Sequence, residues 1–206
     1  MEQFATEEQQ VEAIKRFWKD NGTAIIIGAV LGLGGLWGWR YYSDSQLEAK
    51  AQASVEYQQA VETLQSDNGL SNVEQFISNH SDSGYASIAR FMKVSKLVEN
   101  NELDQAATTL QEVMSSTGDN NLKTLAGIQL ARIQLEQSDT DNALATLEGL
   151  DNEAFSSLIA EVKGDVLAGQ GKLDDARMAY TKALEDNASN QLVKMKLDNL
   201  AVATGS

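Results

Sequence analysis

The sequence predicts an all-α chain, with one N-terminal transmembrane helix followed by a solenoid of helix hairpins. Three observations predict it. Residues 21–39, NGTAIIIGAVLGLGGLWGW, carry no charged side chain. Beyond Tyr42 the apolar residues recur at helical spacing and strand-like alternation is rare. The chain also contains no proline, the residue that breaks helix interiors.

The uncharged run comes first. As a helix it would reach about 28 Å, close to the roughly 30 Å hydrocarbon core of a bilayer. Lys15, Arg16 and Lys19 precede it, whereas Arg40 and then Lys50 follow it. The positive-inside rule therefore puts the N-terminus in the cytoplasm and the long C-terminal part on the trans side, the periplasm in a Gram-negative bacterium. The run exceeds the usual core of a signal peptide. The small-x-small candidate Ala51-Gln52-Ala53 lies far beyond it, behind Arg40, Asp44, Glu48 and Lys50. An uncleaved signal anchor is the reading that fits. Trp37, Trp39, Tyr41 and Tyr42 cluster at its exit, where amphipathic rings settle among headgroups. Gly28, Gly32 and Gly35 share one helical face, and Gly34 and Gly38 form a second small-xxx-small pair. Such faces let another membrane helix approach closely, although glycine is also common in membrane helices without a partner.

Ahead of the span, Thr6 fits an N-cap and Thr6-x-x-Gln9 a capping box. Val11, Ile14, Phe17 and Trp18 then recur at helical spacing beside the three basic residues. That is the build of a helix lying on an anionic leaflet, or of a plain cytosolic cap on the anchor. The expected organisation is a cytoplasmic amphipathic tail (1–20), a transmembrane signal anchor (21–42) and a periplasmic domain (43–206).

The formal net charge of the 206-residue chain is −14, and from Asp44 onward 25 acids face 12 bases. A domain so acidic repels nucleic acid and anionic lipid headgroups, which argues against DNA or RNA as a partner. The absence of cysteine removes disulfides, thiolate metal sites and thiol nucleophiles.

The helical pieces are separated by breaks at 66–69, 79–84, 100–101, 115–121, 138–140, 149–152, 169–171 and 186–189, and they repeat. Asn101-Glu-Leu-Asp-Gln-Ala106, Ser138-Asp-Thr-Asp-Asn-Ala143 and Gly171-Lys-Leu-Asp-Asp-Ala176 are each a tight turn, a helix start and a small residue in the same place. Four residues after each alanine stands a large one, Leu110, Leu147 or Tyr180. Three further on comes Val113, Leu150 or Ala183. The alanine suits a close helix crossing and the large residue fills the groove beside it. The Asp or Asn before the alanine suits a helix N-terminus.

This pattern resembles the tetratricopeptide repeat. Gly164, Leu167, Gly171, Ala176, Tyr180 and Ala183 fall on its small-large-Gly-Ala-aromatic-Ala register. The earlier units depart from it: Asn101 and Ser138 replace the turn glycine, Gln134 takes a usually apolar place, and the repeat proline is missing. Two or three degenerate repeats are expected from Tyr85 to Asp186. Residues 43–79 would add a looser helix pair continuing from the membrane helix, and 191–201 would cap the open end of the stack.

No catalytic constellation is legible, and no cofactor or metal is expected. His80 is the single histidine. It sits in a polar turn with no partner at metal or nucleophile spacing, and reads as a solvated turn residue. What remains is a binding surface. The resemblance implies that the first helix of each pair lines a concave face. By register that face would include Ile88, Phe91, Ser95, Leu125, Ile128, Arg132, Leu158, Glu161 and Asp165. For any single apolar member, hairpin core is the commoner role. Glu161 and Asp165 would make an acidic floor for basic or polar peptide segments.

The stretch Gln10-Val-Glu-Ala-Ile-Lys-Arg-Phe-Trp-Lys-Asp-Asn-Gly22, the run after it, Gly38-Trp-Arg-Tyr-Tyr42 and Gly171-Lys-Leu-Asp-Asp-Ala-Arg177 look like the YfgM family of ancillary subunits of the bacterial SecYEG translocon. The resemblance implies a non-enzymatic inner-membrane protein beside the translocon. It would pair with a membrane-anchored periplasmic chaperone of the PpiD type and assist proteins emerging into the periplasm. The residues alone equally suit a membrane-anchored scaffold or regulator of another envelope complex or stress response.

Overall fold

The computed structural model describes residues 7–66, 68–81 and 83–203, and side chains from residue 9 to residue 200 within them. The expected cap at Thr6 lies outside these residues. Every regular element among them is helical. The chain divides into two compact units, Met1–Gln52 and Ala53–Ser206.

The first unit is formed by α1 (Glu7–Glu62), whose last turns belong to the second unit. The uncharged run lies inside this helix, which is long and apolar enough to cross a membrane. Its large apolar side chains, from Val11 through Ile26, Leu31 and Trp37 to Tyr42, are exposed. A Cβ built at Gly28, Gly32 or Gly35 meets nothing within 4 Å, so that face is open.

The second unit is a stack of helix pairs. The end of α1 and α2 (Gly69–Asn79) form a loose first pair, with Ala60, Leu64, Val73 and Phe76 buried together against Ala89. Three regular pairs follow: α3 (Gly84–Glu99) with α4 (Leu103–Ser116), α5 (Asn120–Glu136) with α6 (Thr140–Glu148), and α7 (Ser156–Gly169) with α8 (Leu173–Asp186). A 3-10 turn, Glu153–Phe155, leads into α7, and α9 (Gln191–Ala203) closes the stack. Val193 and Leu200 of α9 pack on Ala176, Tyr180 and Ala183.

The three aligned repeats take one geometry. Asn101, Ser138 and Gly171 have φ of 61°, 63° and 72°, the left-handed turn that ends a helix. In each, the next amide donates to the carbonyl five residues back: Glu102 to Leu97 at 2.8 Å, Asp139 to Gln134 at 2.8 Å, Lys172 to Leu167 at 2.9 Å. Ala106, Ala143 and Ala176 are fully buried at the crossings, and Leu110, Leu147 and Tyr180 fill the space beside them. Tyr180 packs so closely on Gly164 that a Cβ there would come within 2.5 Å of its ring. Gln134, the polar residue in a usually apolar place, accepts from the Thr146 hydroxyl at 2.9 Å.

His80 departs from the expectation of a solvated turn residue. Its Nε2 donates to Glu56 Oε2 at 2.7 Å, and its ring stacks on Phe76 with centroids 5.0 Å apart. The extension of α1 brings Glu56 to it, a contact that 24 residues of separation hide in the sequence.

Candidate protein-binding groove

The first helices of successive pairs form one face of the stack. Between α3 and α5 this face opens into a groove of about 800 Å³, with the turn after α1 at its edge. Ile88, Phe91, Ser95 and Arg132 all line it, so the structure brings together four of the nine side chains expected on a binding face. Ile88 is 44% exposed. Lys96 at the rim donates to Gln65 Oε1 at 2.9 Å and to Glu99 Oε2 at 3.3 Å.

The other five do not join them. Ile128 has no exposed surface and packs with Ala131, Ala143, Leu147, Val162 and Val166. It is core rather than face, because α5 lies inside the stack and is covered on two flanks. Leu158 packs half-buried against the same cluster, and Leu125 is half-buried on α5.

Glu161 and Asp165 form no open acidic floor. Lys196 of α9 reaches over both, donating to Glu161 Oε1 at 2.9 Å and Asp165 Oδ2 at 2.8 Å. The Tyr180 hydroxyl donates to Asp165 Oδ1 at 2.7 Å, and Asn190 Nδ2 to Glu161 Oε2 at 3.2 Å. Glu161 is only 6% exposed. Burial raises the Tyr180 pKa, helped by its hydrogen bond to Asp165 and by the charges of Asp165 and Glu161. Burial alone would lower the pKa of Lys196, but its bonds to the two carboxylates and their charges outweigh that and leave it raised. Chemically this is a closed ionic clamp that fastens α9 to α7. The sequence carries a faint signal for it, the tyrosine at the large position above an acid-bearing helix, but nothing in the sequence points to Lys196.

No cluster of three or more His, Cys, Asp or Glu side chains able to hold a metal ion occurs among the described residues. A second groove of about 1020 Å³ lies beside the short α6, between it and α8, with Met178 and Lys182 on its wall.

Stacked pairs with buried alanine crossings and left-handed turns, behind one helix apolar enough to span a membrane, define a tetratricopeptide-repeat-like protein with a candidate N-terminal anchor. The family pattern described as "Tetratricopeptide repeat-like domain" matches residues 15–202. Two solved structures of MamA are similar in fold. One is the RS-1 ArsTM double mutant, with TM-score 0.61 and 13% identity over 75% of this chain and 85% of that one. The other is MamA 41-end from Desulfovibrio magneticus RS-1, with TM-score 0.60 and 14% identity over 74% and 85%.

Two curated proteins named "Ancillary SecYEG translocon subunit" are similar over almost their whole length. That of Escherichia coli K12 is 33% identical over 98% of this chain and 100% of its own. That of Haemophilus influenzae Rd is 32% identical over 94% and 97%. The chain belongs to the YfgM family of ancillary SecYEG translocon subunits.

Proposed function

We propose that this protein is a non-enzymatic, membrane-anchored accessory subunit of the SecYEG translocon. The carrying observation is that similarity to the named subunits extends across 98% of the chain, span and solenoid alike. Relatives that shared only the repeats would support a fold, whereas relatives that also share the anchor support a common setting.

In this reading residues 1–20 lie in the cytoplasm, 21–42 anchor the chain in the inner membrane and 43–206 form the periplasmic domain. The excess of Lys and Arg before the span supports that orientation. The solenoid docks a membrane-anchored chaperone of the PpiD type and so holds it where proteins emerge. The open groove between α3 and α5 is suited to such a contact, since solenoids of this build present extended binding surfaces.

Purification of the full chain from native membranes in mild detergent tests this. SecY-type channel subunits and a periplasmic prolyl-isomerase-like chaperone are expected among the co-purifying proteins. A different envelope complex without the translocon would replace this reading with that of a general scaffold.

A further inference from the structure

We propose that the α3–α5 groove takes an apolar peptide segment carrying a carboxylate, with Arg132 as the charged anchor. The inference rests on reading the solenoid as a protein-binding domain, and it names the chemistry of what is bound.

Helix α3 has two apolar stripes. One, Ala86, Ala89, Val94 and Leu97, is buried within the stack. The other, Ile88, Phe91, Met92 and Val98, lines the groove; Phe91 and Met92 rest half-buried against the stack's own clusters, while Ile88 and Val98 are each 44% exposed. A single stripe is enough to hold a helix against its neighbours. The exposed ends of the second, Ile88 and Val98, are left for something outside the chain.

The charges in the groove decide the occupant. Lys96 and Glu99 neutralise each other at 3.3 Å. Arg132 is exposed and makes no hydrogen bond or ion pair among the described residues. The groove therefore carries one uncompensated positive charge in a chain of net charge −14. The acidic pair on the same face cannot compete as a recognition element for basic peptides, because Lys196 already satisfies both Glu161 and Asp165. A basic segment would have to displace it. The acidity of the whole domain opposes an acidic ligand at long range, but at physiological ionic strength that field is screened beyond roughly 8 Å. A guanidinium that meets a carboxylate directly acts inside that distance and can bind it through two parallel hydrogen bonds.

The test uses the full chain in nanodiscs and two short fluorescein-labelled peptides of Leu, Ala and Ser that differ only in carrying two Glu or two Lys. Anisotropy at physiological salt should show the Glu peptide bound about tenfold more tightly. Arg132→Glu should abolish or invert that preference. Lys194→Glu changes the net charge equally but lies outside both grooves, and should leave it intact. Ile88→Asn should weaken both peptides. Equal binding, preference for the Lys peptide, no binding of either, or a preference that survives Arg132→Glu overturns the proposal. If these results fail while the translocon still co-purifies, only this inference falls. If discrimination holds without the translocon, the proposed function falls instead.

Discussion

Each regular hairpin turns on one residue in the left-handed region, and the three differ in what that conformation costs. Gly171 adopts it freely and Asn101 tolerates it, but Ser138, at φ 63°, carries a Cβ penalty of about 1–2 kcal/mol. Ser138→Gly gives back part of this to the greater freedom of glycine in the unfolded chain. We expect a net gain of about 0.5–1 kcal/mol, read as a higher midpoint in a circular-dichroism melt of the detergent-solubilised chain. Asn101→Gly should change little. Gly164→Ala drives a methyl into the Tyr180 ring and should cost about 1–3 kcal/mol in the same melt. All four positions stand out in the sequence, because the turn and the small-large register are local patterns. His80 does not, because its partner Glu56 lies on another helix.

Among the helices, neighbouring pairs are tied by repeated polar contacts. Gln137 Nε2 donates to Asp104 Oδ1 at 2.7 Å, and Gln170 Nε2 to Asp141 Oδ1 at 3.0 Å. These are the same two register positions one repeat apart. With no further hairpin to meet, Asp174 turns to its own Arg177 at 3.2 Å. The last pair is held instead by the clamp from α9. Lys196→Met should destabilise the domain by about 2 kcal/mol, since it strands the buried Glu161. That is less than for a fully buried pair, because 24% of the Lys196 side chain is exposed.

The clamp also sets an alkaline limit. Lys196 titrates above its ordinary 10.5 in the folded state, so its contribution is complete below that value and is lost as pH climbs through the raised one. Tyr180 titrates above its ordinary 10.0, so the unfolded chain ionises first and gains stability relative to the folded one over the same range. Both signs agree: stability should fall as pH rises past about 10. Tyr180→Phe keeps the ring on Gly164, should cost about 1 kcal/mol near neutrality and should make the alkaline fall shallower. A fall of unchanged steepness in Tyr180→Phe would contradict the assignment. Lys196 lies 35 residues from Glu161 and 31 from Asp165, which is why the sequence suggested an open acidic floor where the fold builds a closed one.

The whole molecule is an apolar anchor and an acidic repeat stack in one chain, and that order was readable directly. The run without charge, the missing proline and the recurring turn-alanine pattern each act locally. Which part of the first-helix face stays open was not readable. A helix inside a stack is covered on two flanks, so apolar residues occupy most of its registers, and Ile128 and Ile88 look alike until the neighbours are in place. Within the span, Gly28, Gly32 and Gly35 face open space in the isolated chain. Gly28→Leu with Gly32→Leu should weaken association within the membrane while leaving the melt of the solenoid unchanged, measured as translocon recovered per anchored chain.

The most direct test of the central claim is to compare the full chain with the same solenoid carried on an unrelated anchor, each purified from native membranes in mild detergent, quantifying SecY-type subunits and the chaperone by mass spectrometry. The account predicts that the native chain recovers both, and that the swapped anchor loses most of the channel while keeping the chaperone. Recovery of neither by the native chain, or of a different envelope complex in their place, would contradict it.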